Sequence, residues 1–209
     1  MIRPPKLYRW LYSDAIFRGP ESEKTVYLTF DDGPNPEATP FVLDVLRSHG
    51  IKATFFLLGN NVLKYSGIAA RIKEEGHLIA NHGMNHLNGW QARNEDYTKD
   101  VMDGKALMES ELFRPPYGKL GPMQYRLLRK TEKIVFWDVI SGDFDQNIDG
   151  NQVLDNVVNN ARNGSIIVMH DSKRAFANLK ASLNETILQL SEKGYCFGTL
   201  NTLLDSKID

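Results

Sequence analysis

Thr25-Val26-Tyr27-Leu28-Thr29-Phe30-Asp31-Asp32-Gly33-Pro34 is the stretch on which the reading of this chain turns. Its first six residues are β-branched, aromatic or aliphatic, the composition of a strand covered on both faces. Two carboxylates then stand side by side where that strand must end, and Gly33-Pro34 stops it from continuing. Asp, Gly and Pro are also the ordinary residues of a β-turn or a helix-entry cap, so the stretch taken alone fits either use. Adjacent like charges become favourable beside a cation, which would let both carboxylates stay ionised at neutral pH.

Working outward, short apolar runs bounded by turn residues recur: Val26 to Phe30, Ala53 to Leu58, His77 to Ala80, Leu112 to Arg114, Lys133 to Trp137, Ser165 to Met169 and Tyr195 to Phe197. Longer segments between them carry helical spacing. Phe41, Val42, Val45 and Leu46 form one stripe, and Leu179, Leu183, Ile187 and Leu190 another. Helices are expected to stop at His49-Gly50, Glu75-Gly76, Asn163-Gly164 and Lys193-Gly194, each followed directly by a strand. This alternation implies an α/β fold with parallel strands and right-handed crossovers. An open doubly wound sheet and a shortened, irregular barrel both satisfy it. Both place ligands beyond the carboxyl ends of the strands.

At 209 residues, with 42% hydrophobic and 24% charged residues, the chain is of one-domain size and ordinary globular composition. A formal net charge of −1 offers no footprint for nucleic acid. Cys196 is the single cysteine, which excludes an intramolecular disulfide and a thiolate metal cluster. Met1-Ile2-Arg3-Pro4-Pro5-Lys6 lacks the apolar segment of a signal peptide, and no run approaches the ~18 apolar residues of a membrane span. The expectation is therefore a soluble, cytoplasmic monomer with no membrane or nucleic-acid partner. Residues 1–24, with Leu7, Trp10, Leu11 and Phe17 near helical spacing, are expected to form a strap packed on a domain spanning 25–209.

The polar residues just past each strand form a concentrated set: Asp31-Asp32, Asn81 to His86, Arg114-Pro115-Pro116-Tyr117-Gly118, Asp138, Asp143-Phe144, and His170-Asp171. Three of the five histidines are among them. His82 and His86 are four apart, a spacing that on a helical turn aims both imidazoles at one point. A carboxylate from another strand end would complete a two-histidine, one-carboxylate metal site with open positions. Each feature has a plain structural reading: a solvated His pair, a turn, a rigid Pro-Pro loop, a core histidine. Their joint occurrence at strand ends is what argues for a site.

Thr29-Phe30-Asp31-Asp32-Gly33, His82-x-x-x-His86, Arg114-Pro115-Pro116-Tyr117, Asp138 to Phe144 and Val168-Met169-His170 resemble, in order and approximate spacing, the five motifs of the polysaccharide deacetylases, the NodB-homology or carbohydrate esterase family 4 enzymes. The resemblance runs from about Thr25 to Leu204. It implies a distorted (β/α) barrel of seven or eight parallel strands and a metal-dependent hydrolase removing acetyl groups from N-acetylated sugars. It also implies a role for each residue. Asp31 would be the general base, paired with Arg114, and Asp32, His82 and His86 would hold one divalent ion, expected to be Zn²⁺, with Co²⁺ or Ni²⁺ as alternatives. The Tyr117 amide would meet the oxyanion. His170 would be the general acid, kept charged by Asp143, and Val168 and Phe144 would line the pocket for the acetyl methyl. Trp90 is a candidate platform for a sugar ring. Replacing Arg114 is expected to slow the reaction while leaving the melting behaviour nearly unchanged.

Two positions depart from the family pattern. Gly83 stands where Ser or Thr usually follows the first histidine and braces its loop, so weaker support of the ligands is expected. Phe144 replaces the usual tryptophan. An O-acetyl esterase or non-sugar amidohydrolase on the same site, a non-haem iron oxygenase, and a non-catalytic glycan-binding descendant are the rival readings.

Overall fold

The computed structural model describes residues 2–203, so the last part of the expected domain, residues 204–209, lies outside the described residues. The central strand is β1 (Thr25–Asp31). Its alternation sorts its side chains: Val26, Leu28 and Phe30 join the layer beneath the helices, while Tyr27 joins the interior with Phe56 and Ile166. Around it lie β2 (Thr54–Leu57), β3 (Leu78–Asn81), β4 (Leu112–Phe113), β5 (Lys133–Ile134), β6 (Val139–Ile140) and β7 (Ile166–His170). All pair in parallel, in the order β5-β4-β3-β2-β1-β7-β6. An eighth, β8 (Cys196–Phe197), pairs with Thr25 and Val26 of β1. The helices are α1 (Lys6–Leu11), α2 (Ala38–Ser48), α3 (Gly59–Lys64), α4 (Ser66–Glu74), α5 (Asn94–Met108), α6 (Pro122–Leu128), α7 (Gly150–Val158) and α8 (Phe176–Glu192). The result is a curled, distorted (β/α) barrel. The helical stripes meet the sheet as their spacing requires: Val42 and Leu46 of α2 and Leu179, Leu183, Ile187 and Leu190 of α8 are buried in one cluster.

The barrel does not close through its own strands. Among the described residues β5 and β6 do not pair, and the chain before β1 occupies that side. The Ile16 amide donates to the Ile134 carbonyl at 2.8 Å, the Ile16 carbonyl accepts from the Phe136 amide at 2.8 Å, and the Gly19 amide donates to the Gly164 carbonyl at 2.8 Å. This segment packs on the barrel through Tyr12, Ile16 and Phe17, all buried. The expected stripe of Leu7, Trp10 and Leu11 is instead exposed, Trp10 by 76%. The helical spacing there is real, but α1 turns its aromatic Tyr8 inward, against Phe136, and its aliphatic face to solvent.

Three boundaries differ from the sequence expectation. The run Lys133 to Trp137 is a strand only at Lys133–Ile134, and Val139–Ile140 forms a strand that its two-residue length hid from any periodicity. Helix α7 ends at Val158, so Asn163-Gly164 is the turn entering β7 and not a helix cap. Asp138 does not lie past the carboxyl end of a strand but just before β6, with its amide bonded to the Ile166 carbonyl at 3.0 Å. There it is fully buried and paired with Arg3, Arg162 and Ser165. Burial opposes its ionisation, but hydrogen bonds from Arg162, Arg3 and Ser165 outweigh it and hold the carboxyl well below its usual range. Asp138 is thus an anchor for the N-terminal segment at the end of the barrel away from the site.

Candidate metal and catalytic site

A period of two builds the core of the site. Asp31 and His170 are register partners on β1 and β7, with Thr29 opposite Val168 and Tyr27 opposite Ile166 below them. Asp31 is therefore held beside His170 by backbone pairing rather than by side-chain choice. From the other side, the Arg114 guanidinium donates to Asp31 Oδ1 at 2.6 Å, to Thr29 Oγ1 at 2.8 Å and to the Phe136 carbonyl at 3.1 Å, and lies 4.0 Å from the Phe56 ring centroid. It is 1% exposed, inside the barrel.

Asp32 leaves β1 with φ 77°, a left-handed conformation that costs a non-glycine residue of order 1–3 kcal/mol. Its Oδ1 lies 3.6 Å from His82 Nε2 and 3.1 Å from His86 Nε2. The three ligand atoms fall within 4.8 Å of one another. His82 Nδ1 donates to the Arg114 carbonyl at 2.8 Å, which fixes the tautomer that leaves Nε2 with its lone pair free. Burial lowers the His82 pKa to about 4, despite the raising effect of Asp31, so the ring is neutral as a ligand must be. Burial works against an ionised Asp32, but His86, His170 and His82 more than compensate and hold its carboxyl well below the usual range. Asp32 Oδ1 is buried and has no hydrogen-bond partner. An orphaned carboxylate oxygen facing two imidazole nitrogens fits a divalent cation.

His82 and His86 do not converge on a helical turn, as their spacing suggested. They bracket a loop after β3, and His86 reaches Asp32 through its own left-handed φ of 58°. Tyr117 has the same conformation, φ 60°, in the short turn Pro116–Gly118, and its ring lies edge-on to His86 at 4.4 Å. Among the described residues its amide has no backbone acceptor, whereas the amides of Gly118 and Lys119 bond within the turn. The turn needs Gly118, where φ is 64° and a Cβ would sit 2.5 Å from the Trp137 ring.

On the far side His170 Nδ1 bonds Asp143 Oδ1 at 2.8 Å, and Asp143 Oδ2 accepts the His170 amide at 2.7 Å. Burial pulls the imidazole pKa down, but the charge and hydrogen bond of Asp143, helped by Asp32 and Asp31, raise it to about 9. The Phe144 ring stands edge-on to His170 at 5.1 Å, and Val168 lies buried two residues back on the same face of β7. Trp90 is farther out, 60% exposed, with its indole N–H on the Leu120 carbonyl. All the expected site residues except Trp90 thus meet at one end of the barrel.

A family model described as polysaccharide deacetylase matches residues 18–133. The chain belongs to that family. It is 34% identical over 195 residues to a peptidoglycan-N-acetylglucosamine deacetylase of Bacillus cereus, a match covering 90% of this chain and 92% of the relative. It is 31% identical over 208 residues to a peptidoglycan-N-acetylmuramic acid deacetylase of Bacillus subtilis, covering 93% and 76%. The fold matches a crystal structure of a peptidoglycan N-acetylglucosamine deacetylase in complex with an N-oxidanyl-benzamide compound, with a TM-score of 0.88, 33% identity, and coverage of 95% of this chain and 96% of that one.

For a polysaccharide deacetylase, the Gly83 departure has a structural counterpart. Gly83 has φ 85°, and a Cβ there would lie 2.7 Å from Asp100 Oδ2. Asp100, buried on α5, accepts the Met84 amide at 3.0 Å through Oδ2, and the Asn85 amide and side chain at 3.0 and 2.7 Å through Oδ1. The loop is thus held by a carboxylate from another element. Asp171 is a second residue the sequence reading left without a role. It is fully buried, its amide donates to the Asp31 carbonyl, and its carboxyl accepts from Thr39. Burial raises its pKa to about 7, the Thr39 hydrogen bond acting in the opposite direction. A helical aspartate fifteen and sixteen residues beyond the two loop residues it holds carries no local signal, and only the packing of α5 reveals Asp100.

Proposed function

We propose that this polysaccharide deacetylase hydrolyses the acetamido group of N-acetylated sugars in peptidoglycan, through a divalent ion held by Asp32, His82 and His86. The observation that carries the reading is the pairing of Asp31 with His170 across β1 and β7, each with its own charge partner, beside the three convergent ligand atoms. The ion, when bound, supplies Lewis acidity that acidifies the attacking water and polarises the acetyl carbonyl. Asp31 takes the proton of that water, and Arg114 fixes its orientation. The free amide of Tyr117 receives the developing oxyanion, a contribution typically worth ~3 to 4 kcal/mol per donor. His170, protonated through Asp143, gives its proton to the departing amine, which leaves poorly without one. Phe144 and Val168 wall the methyl group.

Imidazole and carboxylate ligands with open positions suit zinc, and cobalt or nickel would fit the same donors. The crystal complex of the similar deacetylase contains an N-hydroxy amide, a metal-chelating group, which supports metal chemistry in this family. No helix among the described residues is long and apolar enough to cross a membrane. A wall glycan as substrate would put the reaction outside the cytoplasm, at odds with the cytoplasmic expectation drawn from the first residues.

The test is acetate release from a panel of N- and O-acetylated glycans with added Zn²⁺, Co²⁺ or Ni²⁺, with Asp31→Asn as control. Release from N-acetylated glycans alone supports the reading, and release from O-acetylated ones alone replaces it with an esterase.

A further inference from the structure

The rim beyond Tyr117 carries a cation held in place by two aromatic rings and by no acid. Lys119 follows the Pro116–Gly118 turn and is half-buried. Its Nζ lies 5.9 Å from the Tyr117 ring centroid and 5.3 Å from that of Trp90. Among the described residues no carboxylate lies within ion-pair distance of it, in contrast to Lys99 and Lys105, which are paired on α5. The two loops that frame it are locked together: Trp90 Nε1 donates to the Leu120 carbonyl, and Gln124 ties the Gly89 carbonyl to the Gly121 amide at 2.8 Å each. Tyr117 in turn touches the metal ligand His86, so the ammonium stands one side chain away from the reacting centre.

Tyr117 and Trp90 are each 60% exposed, leaving their outer faces free to stack on sugar rings. The cationic side chains of the centre are already paired with its own acids, Arg114 with Asp31 and His170 with Asp143, so a carboxylate on the substrate finds no unpaired side-chain cation there. A cation displaced to the rim accepts such a group while leaving the acetamido group free to enter.

We propose that Lys119, set between Tyr117 and Trp90, binds a carboxylate carried by the sugar unit next to the one being deacetylated, and so makes acidic N-acetylated glycans better substrates than neutral ones. The inference rests on the deacetylase reading above.

The test uses the metal-loaded full chain and two synthetic oligosaccharides of equal length and acetylation, one neutral and one with carboxylate ethers on alternate units. Wild type is expected to favour the acidic substrate through KM, with the preference eroded by salt. In Lys119→Gln the ratio of the two kcat/KM values should fall about fivefold, the size of a partly screened ion pair, while Lys119→Arg keeps it. A melting temperature equal to wild type separates this from a folding defect. Acetate release by wild type without acid preference, or equal losses on both substrates in Lys119→Gln, overturns the role of Lys119 and leaves the deacetylase reading standing. No release from either substrate overturns both.

Discussion

Arg114 was expected to act on rate alone, and its burial changes that expectation. The guanidinium is enclosed between Phe56, Thr29, Asp31 and the Phe136 carbonyl, so Arg114→Ala would leave Asp31 buried without its charge partner. Breaking a buried pair from one side typically costs ~3 to 5 kcal/mol. Urea unfolding of Arg114→Ala should show a loss of that order together with the loss of activity, and an unchanged midpoint would mean that the pair contributes nothing to the fold. His170 gives a pH prediction. Its folded pKa, about 9, lies above the ordinary 6.5, so its contribution to stability is complete below 6.5 and is lost as pH rises through about 9. In Asp143→Asn that contribution shrinks, and the alkaline limb of kcat should move to lower pH. His170→Ala should lose far more activity on an amide than on an activated aryl acetate, whose leaving group needs no proton. Equal losses on both would remove the acid role.

The loop from His82 to His86 carries two of the three proposed metal ligands. It has no helical ladder of its own, and the amides of Met84 and Asn85 find their acceptor in Asp100. Asp100→Ala should therefore weaken divalent-ion affinity about 10- to 100-fold, as losses of outer support around metal ligands do. Gly83→Ser should also weaken it, because a side chain at φ 85° would press on Asp100. The two substitutions share one space, so the double variant should lose less than the sum of the single losses. Calorimetric titration of the metal-free proteins with Zn²⁺ measures all three. Strict additivity would show that Gly83 and Asp100 act separately.

At the scale of the whole molecule, the segment before β1 does more than lie on the surface. It bonds to Ile134 and Phe136 on one side and to Gly164 on the other, adds Tyr12 and Phe17 to an aromatic cluster around Phe136, and brings Arg3 to the buried Asp138. A chain beginning at Thr25 would expose that cluster and strip Asp138 of part of its neutralising charge. Such a truncation should lose its cooperative thermal transition, read by near-ultraviolet circular dichroism. A sharp transition in the shortened protein would show that residues 25–209 fold alone.

The sequence by itself determined the α/β alternation, the parallel pairing and which polar residues gather at one end of the sheet. Apolar runs and helical stripes are local patterns, and a strand that ends in Asp31-Asp32 or His170 announces which end of the sheet carries chemistry. Family motifs added roles to residues that the spacing had already gathered. What it did not determine were contacts made between segments far apart in the chain. A two-residue strand such as β6 has no period to read, and the face that α1 buries is set by the contact of Tyr8 with Phe136, far away in the chain. The bracing of the ligand loop by Asp100 and the isolation of Lys119 between Tyr117 and Trp90 are likewise facts of packing. Local sequence sets which way a backbone tends to run, but which buried charge meets which partner is decided only when the barrel closes around them.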